Sequence, residues 1–237
     1  MLVANIGFAF SESNLAGQVI VILLFVGSIF AWSIMLTKMR DLRRAAALGR
    51  RFCRSYREDE NPLALHGEAE PFRGCPQFAI YSVVCDQLAA ELEERGAAFD
   101  DYAEEGRAAG AAVTAADLKS ARNIAERMMG DQAIRMEENM GFLATAVSTA
   151  PFLGLLGTVW GVMEAFSGMA ISGTNTLANI APGISGALLT TIVGLIVAIP
   201  SSIGHNLLSA SIRRLSIEME NFVEELSADF DRCFGED

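Results

Sequence analysis

The chain has 237 residues, a formal net charge of −11, and 51% hydrophobic against 20% charged residues. The charged side chains are unevenly distributed, because residues 13–37, 139–163 and 165–212 contain none. A helix needs about 20 apolar residues to cross a bilayer. This composition therefore excludes an ordinary soluble protein and predicts an all-α integral membrane protein with three transmembrane helices. Basic clusters interleaved with aromatic residues are missing, which excludes a nucleic-acid partner.

The first predicted membrane helix covers residues 15–37. The residues before it contain no Lys or Arg, whereas six basic residues follow it closely: Lys38, Arg40, Arg43, Arg44, Arg50 and Arg51. By the positive-inside rule, the N-terminus lies outside and the chain is cytoplasmic from residue 38. Residues 1–14 lack the basic region of a secretory signal, so they are expected to be retained. They suit either a short interfacial helix or a frayed tail.

A cytoplasmic helical region is predicted for residues 38–140. The stretch QFAIYSVVCDQLAAELEERG repeats apolar residues at helical spacing. A second helix is expected to begin at Asp117 and to continue into the second membrane span, because nothing in ADLKSARNIAERMMGDQAIRMEENM interrupts its pattern. The segment ENPLALHGEAEPFRGCP is the predicted loop.

The second and third membrane helices are predicted at residues 141–171 and 180–205, with an uncharged outer turn at residues 172–179. Pro182 and Pro200 bracket the third span and are expected to bend or end it. Residues 206–237 continue it as a cytoplasmic amphipathic helix. Arg213 and Arg214 follow the third span, so all three spans agree on an N-out, C-in topology.

Catalytic and metal-binding patterns are missing from the sequence. Its four cysteines (Cys53, Cys75, Cys85 and Cys233) fall in predicted cytoplasmic segments, so they are expected to be reduced thiols. Their spacing matches no zinc motif, and the sequence has no phosphate loop, dinucleotide fingerprint or nucleophile elbow. We therefore expect no enzymatic activity, no metal and no cofactor.

Small residues follow one another at helical spacing in the second and third spans. Membrane helices associate by close packing at such positions. The predicted packing residues are the glycines of these two faces, namely Gly154, Gly157, Gly161, Gly183, Gly186 and Gly194. Packing alone accounts for them, whether the helices contact each other or copies in other subunits.

Three polar residues in these spans are candidates for an ion pathway. Thr158 and Thr191 lie near the middle of antiparallel helices, and so at similar depth. They either line a polar interior or bond their own helix backbones, as isolated membrane threonines commonly do. Glu164 lies about 33 Å along the helix from Phe142, near the outer boundary. It is either part of a pore mouth or an interfacial carboxylate that reaches water.

The runs STAPFLGLLGTVWGVMEAF and IAPGISGALLTTIVGLIVAIPSSIGHN resemble spans two and three of the ExbB/TolQ proteins, relatives of the flagellar stator protein MotA. The resemblance covers residues 115–230 and includes the GLLGTVWG run, the APGI turn and the AIP exit. Residues 45–110 carry little of it. The three-span, N-out topology with a large loop after span one agrees with this family.

The resemblance implies a homopentamer in the bacterial inner membrane, with a periplasmic N-terminus. Two single-span helices of an ExbD/TolR-like partner would occupy its central pore. That partner supplies the proton-carrying Asp, and proton flow delivers work to a TonB/TolA-like protein. Thr158 and Thr191 match the family's pore-lining threonines.

One position departs from the family pattern. Many members carry a Glu where this chain has Gly186, so Glu164 is the acidic group left within the spans. Whether Glu164 takes over part of that role is a hypothesis. The sequence does not indicate which system is served (iron uptake, envelope maintenance or gliding) or whether the ion is a proton or sodium. Two alternative functions also stay open: a stator for motility or secretion, and a non-conducting membrane scaffold.

Overall fold

The computed structural model describes residues 7, 9–11, 13–59, 61–67, 70–94, 113–172 and 177–234. No β-strand occurs among them. Their five long helices are α1 (Leu15–Glu58), α2 (Pro76–Glu94), α3 (Ala115–Glu137), α4 (Met140–Ser172) and α5 (Leu177–Phe234), and a 3-10 helix covers Glu70–Phe72. Segments of α1, α4 and α5 are long and apolar enough to cross a membrane. Within the described residues, the predicted all-α fold with three candidate membrane-spanning helices is therefore confirmed.

The chain divides into two compact units, each built from separate stretches of sequence. We call Met1–Lys38 with Asn139–Leu208 the apolar unit, and Met39–Glu138 with Ser209–Asp237 the aromatic unit. Both α1 and α5 contribute residues to each unit, so neither unit is a continuous piece of the chain.

Small and branched residues form the interior of the apolar unit. Its core contains Leu24 of α1, Ala150 of α4, and Val197 and Ala198 of α5. Large apolar side chains face outward instead, such as Phe152, which is 71% exposed. A surface of this kind suits lipid, because the bilayer core offers no partner to polar groups.

Two expectations about helix ends are wrong. The expectation that Pro182 or Pro200 ends the third span is wrong, because α5 passes through both of them, as α4 passes through Pro151. The alternative expectation, that they bend the helix, stays a prediction. Neighbouring groups can satisfy the backbone that a proline frees in a membrane helix. The second error concerns the expected continuity of α3 with the second span. The helix stops at Glu137, and Asn139 adopts a left-handed φ of 67° before α4 begins.

Sequence explains both ends of α3. Thr114 is its N-cap: the Thr114 hydroxyl accepts from the Asp117 main chain, while the Asp117 carboxylate accepts from the Thr114 N–H. This reciprocal capping box places the helix start two residues before the predicted Asp117. Asparagine tolerates the left-handed conformation better than most residues, which makes Asn139 a suitable breaker.

The aromatic unit has a core of rings around Phe52, which is completely buried. Its ring centroid lies 5.2–6.2 Å from those of five other aromatic residues: Tyr56, Phe72, Phe78, Tyr81 and Phe222. Three of these five pairs are edge-on, an arrangement that aromatic rings prefer, and the other two are tilted. The core therefore joins α1, the 3-10 helix, α2 and α5.

Polar contacts surround this aromatic core. The Arg57 guanidinium donates to both carboxylate oxygens of Glu225, at 2.6 and 2.7 Å. The Tyr56 hydroxyl donates to Asp229 at 3.2 Å, and burial together with that carboxylate raises the pKa of Tyr56. Burial also raises the pKa of the Cys53 thiol to about 11 and that of Cys85 to about 12. These thiols therefore stay protonated, and unreactive, near neutral pH.

Several predicted segments fall wholly or partly outside the described residues. These are residues 1–6 of the N-terminal segment, residues 173–176 of the turn, and residues 95–112 between α2 and α3. The predicted loop is described over residues 61–67 and 70–75, where it forms turns and the 3-10 helix before α2 begins at Pro76.

Candidate functional site

The contact between α4 and α5 depends on glycines that let the two backbones approach. A Cβ atom added at Gly154 would lie 2.9 Å from the Thr190 carbonyl oxygen, and one at Gly194 would lie 2.6 Å from the Ala150 carbonyl oxygen. A Cβ at Gly161 would meet Ala187 at 2.6 Å. These distances leave no room for a side chain, so the predicted packing role of the three glycines agrees with this geometry.

Three other predicted glycines lie in different surroundings. Gly157 faces the Thr190 side chain, where an added Cβ would be 2.5 Å from Oγ1. A Cβ added at Gly183 would lie 3.3 Å from the Ala165 Cβ, a tight contact that a small shift of the neighbour could relieve. Gly186 faces the segment before α1, since an added Cβ there would lie 2.8 Å from Ser13 Oγ.

The predicted threonine pair lies at the contact between α4 and α5. The Thr158 and Thr191 hydroxyls form a direct hydrogen bond across the two helices. Thr191 Oγ1 also donates to the Gly154 carbonyl at 3.1 Å, and Thr158 Oγ1 lies 3.2 Å from the Ala187 carbonyl. The two side chains are half-buried.

The own-backbone bond predicted for these threonines is observed for Thr158, and the predicted polar interior stays a prediction. Thr158 Oγ1 lies 3.1 Å from the carbonyl of Gly154 in its own helix, which is the bond expected of an isolated membrane threonine. The bonds from Thr191 to Thr158 and Gly154 cross between helices instead. The pair therefore links α4 to α5, and both residues remain half-buried.

Sequence reasoning missed Thr190 as a member of this cluster. Its hydroxyl lies 2.9 Å from the Gly154 carbonyl, 2.7 Å from the Ala187 carbonyl and 3.5 Å from Thr158 Oγ1. Its position four residues from Gly186 and from Gly194 placed it on the small-residue face. The sequence feature that could have identified Thr190 was therefore a hydroxyl residue within a row of small residues.

Glu164 lies apart from the threonines. It follows Thr158 by about 9 Å along the α4 axis. Its carboxylate is exposed and accepts a hydrogen bond from the Asn14 side chain. Asn14 also caps α1, because its Oδ1 accepts from the Gly17 N–H at 2.7 Å. Glu164 is therefore tied to the start of α1.

The segment before α1 also contacts α5. Ser13 Oγ donates to the Ala9 carbonyl at 2.7 Å and lies 3.3 Å from the Gly186 carbonyl. Ser13 is buried, and the Ala9 carbonyl lies 3.0 Å from the position of a Cβ at Gly186. The space that a longer side chain at position 186 would need is therefore occupied by this segment.

The chemistry of this site is that of hydroxyls and carbonyls. A threonine hydroxyl both donates and accepts a hydrogen bond, so adjacent hydroxyls can pass a proton by exchanging donor and acceptor roles. Within the described part of the chain, no group of three or more His, Cys, Asp or Glu residues could hold a metal ion.

Comparison with known proteins identifies the relatives of this chain. The family model described as the MotA/TolQ/ExbB proton channel family matches residues 94–221. The Tol-Pal system protein TolQ of Haemophilus influenzae is 31% identical over 233 residues, which cover 95% of this chain and 94% of that protein. TolQ of Pseudomonas aeruginosa is 45% identical over 94 residues, covering 40% of this chain and 41% of that protein. The biopolymer transport protein ExbB of Pseudomonas putida is 48% identical over 87 residues, covering 37% of this chain and 26% of that protein. The chain therefore belongs to the MotA/TolQ/ExbB proton channel family.

Proposed function

We propose that this chain is the proton-channel, stator-type subunit of a TolQ–TolR-like motor in the bacterial inner membrane. The motor couples the proton motive force to work on a TolA-like protein and so maintains the cell envelope. The hydrogen-bonded pair of Thr158 and Thr191 is the observation that carries the channel assignment. The similarity to Haemophilus influenzae TolQ, which extends over nearly the full length of both chains, favours a Tol-type system.

The proposed proton path combines groups from two proteins. This chain supplies hydroxyls, while a TolR- or ExbD-like single-span partner supplies the carboxylic acid that titrates. The membrane gradient provides about 2.3 kcal/mol per charge for each 100 mV. Hydroxyls suit such a path because they hydrogen bond to either protonation state of the acid without carrying a charge of their own.

The proposed assembly is a homopentamer around two partner helices. The N-terminus would be periplasmic and the C-terminus cytoplasmic, as the basic residues after α1 favour. The exposed apolar residues of α1, α4 and α5 would then contact lipid, neighbouring copies or the partner.

For Glu164 we propose a place at the outer mouth of the path. Its exposed carboxylate could exchange protons with water there, although its bond to Asn14 also suits a purely structural anchor. Glu164→Gln keeps the shape and removes the charge. A sharp fall in proton flux would support the first role, and unchanged flux would leave Glu164 as an anchor.

The channel assignment is tested by measuring proton flux in vesicles that contain this chain with its partner. Thr191→Val keeps the side-chain shape but removes the hydroxyl, so flux should fall at least about fivefold, as expected from one lost hydrogen bond. Thr37→Val is the matched control, because Thr37 is exposed near the middle of α1 and outside the α4–α5 contact. A fully active, assembled Thr191→Val complex would contradict the assignment and favour a non-conducting scaffold.

A Ton-type role is the second candidate, since the ExbB of Pseudomonas putida is 48% identical over its matched residues. Complementation separates the two systems. We expect this chain, expressed with its own partner, to restore detergent resistance to a host that lacks TolQ. Rescue of iron-siderophore uptake alone, in a host that lacks ExbB, would assign it to the Ton-type system.

A further inference from the structure

Thr190 differs in its surroundings from the two threonines that it contacts. Its relative exposure is 0%, whereas Thr158 and Thr191 are half-buried. It therefore cannot itself contact a partner helix or water. A contribution of Thr190 to proton movement would therefore have to pass through the two neighbouring hydroxyls.

Glycines of two helices fix the Thr190 side chain in place. A Cβ added at Gly157 would lie 2.5–2.9 Å from three of its atoms, and one at Gly17 would lie 3.5 Å from its Cγ2. Thr190 thus fills the space where α1, α4 and α5 meet. With the side chain fixed, the hydroxyl hydrogen is the part that can still turn.

The three hydroxyls compete for two carbonyl oxygens. The Gly154 carbonyl is within hydrogen-bond distance of all three, at 3.1 Å from Thr158, 2.9 Å from Thr190 and 3.1 Å from Thr191. The Ala187 carbonyl is within reach of Thr158 at 3.2 Å and of Thr190 at 2.7 Å. A carbonyl has two lone pairs, and within a helix one already accepts a main-chain N–H. Each carbonyl therefore has room for about one hydroxyl.

Because of this competition, the carbonyl to which Thr190 donates determines whether Thr158 or Thr191 is the donor in their shared hydrogen bond. When Thr190 donates to Ala187, the Gly154 carbonyl accepts from Thr191, and Thr158 donates to Thr191. When Thr190 donates to Gly154, the Ala187 carbonyl accepts from Thr158, and Thr191 donates to Thr158. Both arrangements provide hydrogen bonds for the same three hydroxyls and two carbonyls, but Thr158 and Thr191 exchange the roles of donor and acceptor.

We propose that Thr190 is the positioning residue of the Thr158–Thr191 relay, and that rotation of its hydroxyl resets the relay after each proton. The inference rests on the proposed proton-channel function. In one transfer, a hydroxyl oxygen gains a proton from a carboxylic acid or hydronium as its own proton passes to the second hydroxyl. The proton of that second hydroxyl turns away from its carbonyl partner and leaves to water or a carboxylate. Each O–H bond that breaks is replaced, but the two hydroxyls have exchanged the roles of donor and acceptor. Before the next proton can pass, the hydroxyls must rotate back to their original roles.

The test measures proton flux in vesicles that contain the assembled complex of this chain and its partner. Thr190→Val keeps the volume and removes the hydroxyl, so flux should fall about fivefold, the effect of one hydrogen bond on a rate. Thr190→Ser keeps the hydroxyl and should restore flux to within about twofold of wild type. The double variant Thr190→Val/Thr191→Val should be no slower than Thr191→Val alone, because both changes disable the same relay.

The outcomes separate this inference from the function on which it rests. Unchanged flux in Thr191→Val would overturn the proposed function itself. Slow flux in Thr191→Val with unchanged flux in Thr190→Val, or effects that multiply in the double variant, would overturn the role of Thr190 alone. If Thr190→Val does not assemble, Thr190→Ser and Thr190→Cys are compared, since the thiol is a weak donor. Equal flux in that pair would also contradict the role.

Discussion

The two units of this chain hold their helices together by opposite means. In the apolar unit, α4 and α5 approach until glycines face backbone atoms, and threonine hydroxyls bond across the gap. In the aromatic unit, large rings fill the space around Phe52. Lipid is as apolar as the side chains, so there is no hydrophobic driving force for membrane helices to associate. Close packing of their backbones must supply the attraction instead. Burial of large rings is effective where water is the alternative.

The largest expected effect comes from removing the centre of the aromatic core. Phe52→Ala should lower the free energy of unfolding by about 3–5 kcal/mol, because Phe52 is completely buried and its removal leaves a cavity among rings. Ile134→Ala is the control in the same unit, since Ile134 is 70% exposed. Chemical denaturation in detergent measures both. A loss below about 1 kcal/mol in Phe52→Ala would refute an aromatic core centred on this residue.

A smaller effect is expected from adding one methyl group in the apolar unit. Gly194→Ala should destabilise the α4–α5 contact by about 2–3 kcal/mol, because the new Cβ would lie 2.6 Å from the Ala150 carbonyl oxygen. Gly168→Ala makes the same change in α4, where an added Cβ meets none of the described atoms within 4 Å. Thermal unfolding of the two proteins in detergent should therefore differ. Equal melting temperatures would argue against backbone contact between α4 and α5.

The smallest expected effect is a loss of stability at alkaline pH, caused by a buried thiol of the aromatic unit. Burial raises the pKa of the Cys85 thiol from 9.0 to about 12, so the folded protein retains a proton that the unfolded chain loses. This stability is fully present below pH 9 and is lost as pH rises towards 12. At pH 10 the loss is about 1.4 kcal/mol.

Denaturation at pH 8 and pH 10 checks the contribution of this thiol. Cys85→Ala should lose about 1.4 kcal/mol less than wild type between the two values. Val84→Ala, at the adjacent buried position, adds no titrating group and should keep the wild-type difference. The same alkaline loss in wild type and Cys85→Ala would mean that this thiol is not buried in the folded protein.

Sequence patterns predicted most of the architecture, for clear physical reasons. Long uncharged runs identify membrane helices because a bilayer excludes charge. Small residues at helical spacing identified the α4–α5 face, and Thr158 and Thr191 were matched because antiparallel helices bring their midpoints to one depth. These inferences need only periodicity and length.

The features that the sequence did not predict depend on local geometry. The break at Asn139 comes from one residue in a left-handed conformation, within an otherwise helical pattern. The role of Thr190 depends on which side chain is fully enclosed at the helix crossing. The contacts of Ser13 with Gly186 and of Asn14 with Glu164 join residues far apart in sequence, which no local spacing indicates.

We propose that α4 and α5 present a pair of hydroxyls to a proton path and leave the titrating acid to a partner helix. An electron cryomicroscopy map of the complex assembled in lipid tests it most directly. We expect Thr158 and Thr191 to face a central lumen occupied by a partner helix, with that helix's carboxylate near their hydroxyls. A lumen filled only with lipid, with both threonines turned away from it, would show that this pair does not line a proton path.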